Sequence, residues 1–108
     1  MATIQLADNF VNSVVDTAEP IFTAGTKGAV IEAFTAANNS TVDASYKAYI
    51  KTSSGVLRAQ RPFKIVVWGE SDLGIGIVNQ IIPAGAQLMV EASATDSIYF
   101  TVTGREAS

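Results

Sequence analysis

The sequence predicts an all-β protein in which antiparallel strands form two packed sheets. Apolar and polar residues alternate over three separate stretches, as expected where successive side chains of a strand point to opposite faces. Two further runs are rich in Val and Ile, which fit a pleated surface. Turn-forming clusters separate all of these runs at intervals of about 8 to 15 residues, a spacing typical of sandwiches and barrels.

The first sixteen residues do not fit this pattern clearly. Four of their apolar residues are spaced so that they would lie on one face of a helix, namely Phe10, Val11, Val14 and Val15. Neighbouring Asn and Ser residues disfavour a helix, because their side chains compete for backbone hydrogen bonds. We therefore divide the chain into residues 1–16, an N-terminal arm, a helix or a first strand, and residues 17–108, the β-sandwich domain.

The segment 29–37, AVIEAFTAA, has some helical propensity but is interpreted as a strand. A single glutamate, Glu32, interrupts an otherwise β-compatible run, and the turn sequence NNST follows directly. A short helix remains the alternative.

Three alternating segments predict strands with one buried face. These are 41–50 (TVDASYKAYI), 87–93 (QLMVEAS) and 97–103 (SIYFTVT). Their predicted inward residues are Val42, Ala44, Tyr46, Ala48, Ile50, Leu88, Val90, Ala92, Ile98, Phe100 and Val102.

The apolar runs 63–68 (FKIVVW) and 74–82 (GIGIVNQII) are predicted as further strands. Gly74 and Gly76 would then lie within a strand and mark a bulge or a close backbone approach. Pro20 and Pro83 begin apolar runs, where a missing N–H is tolerated. The chain accommodates about seven or eight short strands, so two packed sheets in a jelly-roll-like sandwich are expected.

The composition fits a protein that associates with other proteins and, equally well, a small β-domain with a largely uncharged surface. Charged residues make up only 16% of the chain, against a usual share of about 25%. The remaining surface is largely uncharged, and interface cores are typically depleted of charge. Among the basic residues only Arg58, Arg61 and Lys64 cluster, too few to track a phosphate backbone, so we expect no nucleic-acid partner.

No residue pattern predicts catalysis. The chain has no Cys and no His, which removes thiolate nucleophiles, imidazole bases and zinc–thiolate sites. Glu70 and Asp72 supply too few oxygen atoms for a calcium site and are interpreted as part of a polar turn. We expect no enzyme activity, no catalytic residue, no cofactor and no metal.

The N-terminal residues do not resemble a signal peptide, and no apolar run reaches the roughly 20 residues that span a bilayer. We therefore expect synthesis in the cytoplasm and no membrane partner.

Aromatic residues raise a second possible function, carbohydrate binding by a β-sandwich module. Tyr49 and Tyr99 share faces with polar residues and are predicted to be accessible. Trp68 is the third candidate for sugar binding, but it ends an apolar run and is predicted to pack in the core or at a sheet edge. The residues predicted to contribute to an interface are Ile4, Leu6, Phe10, Val11, Tyr49 and Tyr99.

The segments AFTAANNSTVDASYKAYI and IIPAGAQLMVEASATDSIYFTVTGRE resemble small virion proteins of tailed bacteriophages. In that group a Pro-Ala-Gly turn leads into a strand, an Ala/Ser-rich turn and a final Ile/Val strand ending in Gly. The resemblance implies a capsid decoration or cement protein located in the virion, or alternatively a neck or tail protein. It also implies a dimer or trimer that binds the major capsid protein or another virion protein.

Overall fold

The structure, a computed structural model, describes residues 4–106 as two antiparallel β-sheets packed face to face. The predicted all-β sandwich is confirmed. Residues 4–106 form nine strands: β1 (Ile4–Val11), β2 (Glu19–Thr23), β3 (Ala29–Asn38), β4 (Ala44–Lys51), β5 (Leu57–Val66), β6 (Ser71–Asp72), β7 (Ile81–Ile82), β8 (Gln87–Ala92) and β9 (Ile98–Glu106). Within 4–106 the structure has no helix long and apolar enough to cross a membrane.

The strand order is that of a jelly roll. One sheet runs β1-β9-β3-β6, and the other runs β2-β8-β4-β5. Strands β6 and β7 both pair with β3, β6 near its end and β7 at its start, so they are two parts of one interrupted strand. The nine strands therefore occupy eight positions, as the two Greek keys of a jelly roll require.

The ambiguous N-terminal segment contains a strand and not a helix. Strand β1 pairs antiparallel with β9 along the edge of the first sheet. Leu6 and Ala7 turn into the core. Residues 1–3 of the segment 1–16, and residues 107–108 of the segment 17–108, lie outside the described residues.

The core follows the predicted alternation closely. In β4, β8 and β9 every predicted inward residue from Ala44 onward is buried. Three aromatic rings fill the centre: Phe34 lies 5.9 Å from Tyr46 and 6.0 Å from Phe100, and Tyr46 meets Phe100 at 5.5 Å. Segment 29–37 lies within strand β3, so the strand interpretation is confirmed.

Three details of the prediction are wrong. Val42 is exposed, because β4 begins only at Ala44 and the preceding residues form a turn. Trp68 is 59% exposed in the turn after β5 and does not belong to the core. The run 74–82 contributes only Ile81–Ile82 to a strand.

Two glycines explain why the run 74–82 does not form a continuous strand. Gly74 and Gly76 have φ values of 67° and 100°, which side-chain-bearing residues rarely adopt. The Gln60 carbonyl oxygen would lie only 2.5 Å from a Cβ at Gly76. The predicted close backbone approach is therefore confirmed, but it occurs in a turn and not within a strand.

Candidate interaction surface

The connections between antiparallel strands alternate between the two ends of the sandwich. Four of them, 12–18, 39–43, 67–70 and 93–97, lie together at one end, which we call the loop end. Backbone hydrogen bonds join these loops to one another and to the strands. Asn39 N donates to Ser97 O at 2.9 Å, and Gly69 N donates to Asn38 O at 2.9 Å.

Asn38, the last residue of β3, organises two of these loops. Its buried side-chain amide donates to the carbonyl oxygens of Val42 and Val66, both at 2.9 Å. Its Oδ1 accepts from Ser40 N at 2.9 Å and from Ser40 Oγ at 2.7 Å. Nearby, Trp68 N donates to Asp43 Oδ1 at 3.1 Å. Together these bonds fix the positions of loops 39–43 and 67–70.

Glu19 organises the loop 12–18 in a similar way. Its carboxylate accepts from Ser13 N and Ser13 Oγ, both at 2.7 Å, and from the Asn12 side chain at 3.1 Å. The Ser13 hydroxyl contributes most to lowering the pKa of Glu19, and the other donors assist it against the opposing effect of burial. Asn12 also donates to Val90 O at 3.0 Å, which ties the loop to β8.

The loop end is apolar and acidic at the same time. Each of its four loops carries one exposed acidic residue and no Lys or Arg. The acidic residues are Asp16, Asp43, Glu70 and Asp96. Three of the loops also expose large apolar side chains, namely Val14, Val15, Val42, Val67 and Trp68.

The apolar surface continues from the loop end onto strand β5. Ile65 lies opposite Ser45 on the outer face of its sheet, where a solvated strand would carry polar residues. Phe63 and Ile65 are 60% and 52% exposed. We call these two residues the outer stripe. A shallow groove of about 270 Å³ beside them is lined by Asp43, Ala44, Ser45, Phe63, Ile65 and Ser93.

The most concentrated group of polar side chains lies between the two sheets. Arg61 of β5 donates to both oxygens of Asp72 in β6, at 3.1 and 3.2 Å. The hydroxyl of Tyr46 and the backbone N–H of Gly74 also donate to Asp72. Because Asp72 accepts from three different donors, this cluster joins the sheets and leaves its carboxylate little capacity for binding a substrate.

Burial and hydrogen bonding oppose each other at Asp72. Burial raises the pKa of its carboxyl, but the bonds from Tyr46, Arg61 and Gly74 outweigh it, so the pKa lies below its usual value. Burial and the adjacent carboxylate raise the pKa of Tyr46. Among residues 4–106, no group of three or more acidic side chains is placed to hold a metal ion.

The residues predicted from the sequence to form an interface do not share one surface. Leu6 is buried and Phe10 packs partly against the core. Ile4 is exposed at the start of β1, and Val11 lies opposite Tyr99 on the outer face of the first sheet. Tyr49 lies on the second sheet, where its hydroxyl donates to Glu91.

The three aromatic residues considered for sugar binding are likewise separated. Tyr49 and Tyr99 are on different sheets, and Trp68 is at the loop end. They therefore form no common platform.

The fold and this surface together define a jelly-roll β-sandwich with a preformed, apolar, acidic loop end. No family model matches the chain, and no curated protein or solved structure matches it either.

Proposed function

We propose that this protein is a non-enzymatic structural component of a larger particle, and specifically a capsid decoration or cement protein of a tailed bacteriophage. The observation that carries the proposal is the outward-facing apolar surface formed by the outer stripe and the loop end. Burying exposed apolar surface is worth about 25 cal/mol per Å² before association costs are subtracted. An apolar surface this continuous on a small domain is typical of a site that another protein covers.

The mechanism is the burial of surface across a seam between shell subunits. The particle class comes from the resemblance of segments 33–50 and 81–106 to small virion proteins, and the jelly roll is compatible with it, since viral capsid domains use this architecture. Lectin domains use it too, but here the separation of Tyr49, Tyr99 and Trp68 gives glycan binding less support. Many copies bound to one particle would add their weak contacts through avidity.

Particles assembled with and without the protein test this function. We expect particles that lack it to release their genome at a lower temperature, although their shells still assemble. Equal heat resistance of the two preparations would contradict the cement role.

Two matched variants test the surface. Ile65→Ser removes an apolar side chain from the outer stripe, whereas Ile81→Ser removes the same side chain from an exposed position on the other sheet. We expect Ile65→Ser to weaken binding to bare particles in a co-sedimentation assay and Ile81→Ser to leave it unchanged. Equal effects would show that the outer stripe is not the contact.

A further inference from the structure

The two ends of the sandwich carry opposite charge. The end away from the loop end, which we call the opposite end, contains the connections 24–28, 52–56 and 83–86. Ala24 N donates to Ala86 O at 2.9 Å, and Gly85 lies beside Ser53, so these connections form one surface. Its cations are Lys27, Lys51 and Arg58.

Acidic residues at the opposite end offset these cations only partly. Among the described residues there, Glu106 is exposed, and Glu32 pairs with Arg105 at 2.7 Å. The surface is thus basic, whereas each of the four loops at the loop end carries an acidic residue and Lys64 of β5, beside Glu70, offsets one of them. The long axis of the molecule extends 41 Å, several times the Debye length of about 8 Å at physiological salt. The two charged ends therefore cannot neutralise each other within one chain.

Both ends also expose apolar side chains. Val56 and Leu57 are exposed at the opposite end, beside Arg58. They match the valines and Trp68 of the loop end in character, while the surrounding charges are complementary. An interface needs this combination, an apolar centre with charges that set the orientation.

We propose that the loop end of one copy docks onto the opposite end of a second copy, acid against base. The inference rests on the proposed assembly role and names the partner of the loop end. Because the two contacting surfaces differ, the interface is heterologous, and it closes into a ring or extends into a stack according to the rotation between copies.

Charge argues against the simpler alternative in which two β5 edges pair with each other. Strand β5 carries Arg58 and Lys64, besides the Arg61 that is paired with Asp72, and no acidic residue. Antiparallel pairing of β5 with its own copy would bring these cations together, and charged residues on an edge strand are a known means of preventing such pairing.

Mixing two defective variants tests the heterologous contact. The loop-end variant is Trp68→Ser with Glu70→Lys, and the opposite-end variant is Lys27→Glu with Arg58→Glu. We expect the mass of the wild-type chain, measured by light scattering, to rise with concentration and to fall as salt increases. Each variant alone should associate at least about tenfold more weakly than the wild type, a loss of about 1.4 kcal/mol or more in the free energy of association.

A one-to-one mixture should restore a complex of two chains, because each variant retains the end that the other has lost. A second pair, Val42→Ser with Val67→Ser and Val56→Ser with Leu57→Ser, repeats the test if a charge variant fails to fold. A wild-type chain that stays monomeric, a mixture that stays monomeric, or a dimer that survives in either variant alone would overturn the inference. A monomeric wild type would leave the cement role open to its own test on particles.

Discussion

Replacing Asn38 with Ala removes the side chain that holds two loops of the loop end. The two bonds donated to Val42 O and Val66 O are worth about 1 kcal/mol each. Leaving the Val66 carbonyl without this donor costs about 1 kcal/mol more. The bonds from Ser40 count for little, since Ser40 is partly exposed and water can replace Asn38 there. We therefore expect a loss of about 3 kcal/mol in the free energy of unfolding.

Thermal and urea unfolding, followed by circular dichroism, measure this loss. For a domain of this size about 3 kcal/mol corresponds to a fall of about 12 °C in melting temperature. Asn39→Ala is the matched control, because the side chain of Asn39 is exposed and the loop contact of this residue is made by its backbone N–H. Equal destabilisation by the two substitutions would refute the assignment of Asn38 as the organising residue. The emission of Trp68, the single tryptophan, should also change in Asn38→Ala, since its loop is released.

Three further outcomes are expected. Phe63→Ser should change the unfolding free energy by less than about 0.5 kcal/mol, as is usual for exposed positions, whereas Phe34→Ser in the core should cost about 3 kcal/mol or more; similar losses measured by urea unfolding would contradict the placement of Phe63. The depressed pKa of Asp72 stabilises the folded chain above about pH 4, the unfolded value, and this stabilisation is lost as pH falls through the folded pKa. The melting temperature of Asp72→Asn should therefore differ most from that of the wild type near neutral pH and converge with it in acid, while the exposed control Asp96→Asn should show a smaller difference at neutral pH; a constant gap across pH would contradict this. Trp68 emission should shift to shorter wavelength as the wild-type chain associates with itself at rising concentration, and an unchanged spectrum in the associated chain would place the contact between copies elsewhere.

The sequence predicted the strands whose two faces differ. In β4, β8 and β9 one face is buried and the other is partly solvated, so apolar and polar residues alternate with a period of two. The run 63–68 carries no such signal, because Phe63 and Ile65 are apolar on the outer face while Val66 is apolar on the inner one. The hydrophobic pattern alone could not show which of them faced solvent. Pro62 gave a usable hint, since proline within a strand indicates an edge strand.

The loop end was missed because its residues are far apart in the sequence. Asp16, Asp43, Glu70 and Asp96 follow one another at intervals of 27, 27 and 26 residues. Each interval corresponds to two strands with their two connections, so in a regular antiparallel sandwich all four acidic residues lie at the same end. That spacing is a signal in the sequence, but it becomes interpretable only when the strand order is known.

The loop end differs from the exposed turn that carries Ile75 in how firmly it is held. Val42 and Trp68 belong to loops that are fixed by Asn38 and Asp43. Most of the conformational entropy of these loops is therefore already lost when the chain folds. Docking of a partner then loses little additional conformational entropy, which is the main benefit of a preorganised site. Ile75 is more exposed, at 76%, but within the described residues its turn has a single side-chain hydrogen bond, from Gly74 N–H to Asp72, whereas the Asn38 side chain makes four. Between these two exposed apolar surfaces, the loop end is therefore the one where an equal contact area should give the larger net affinity.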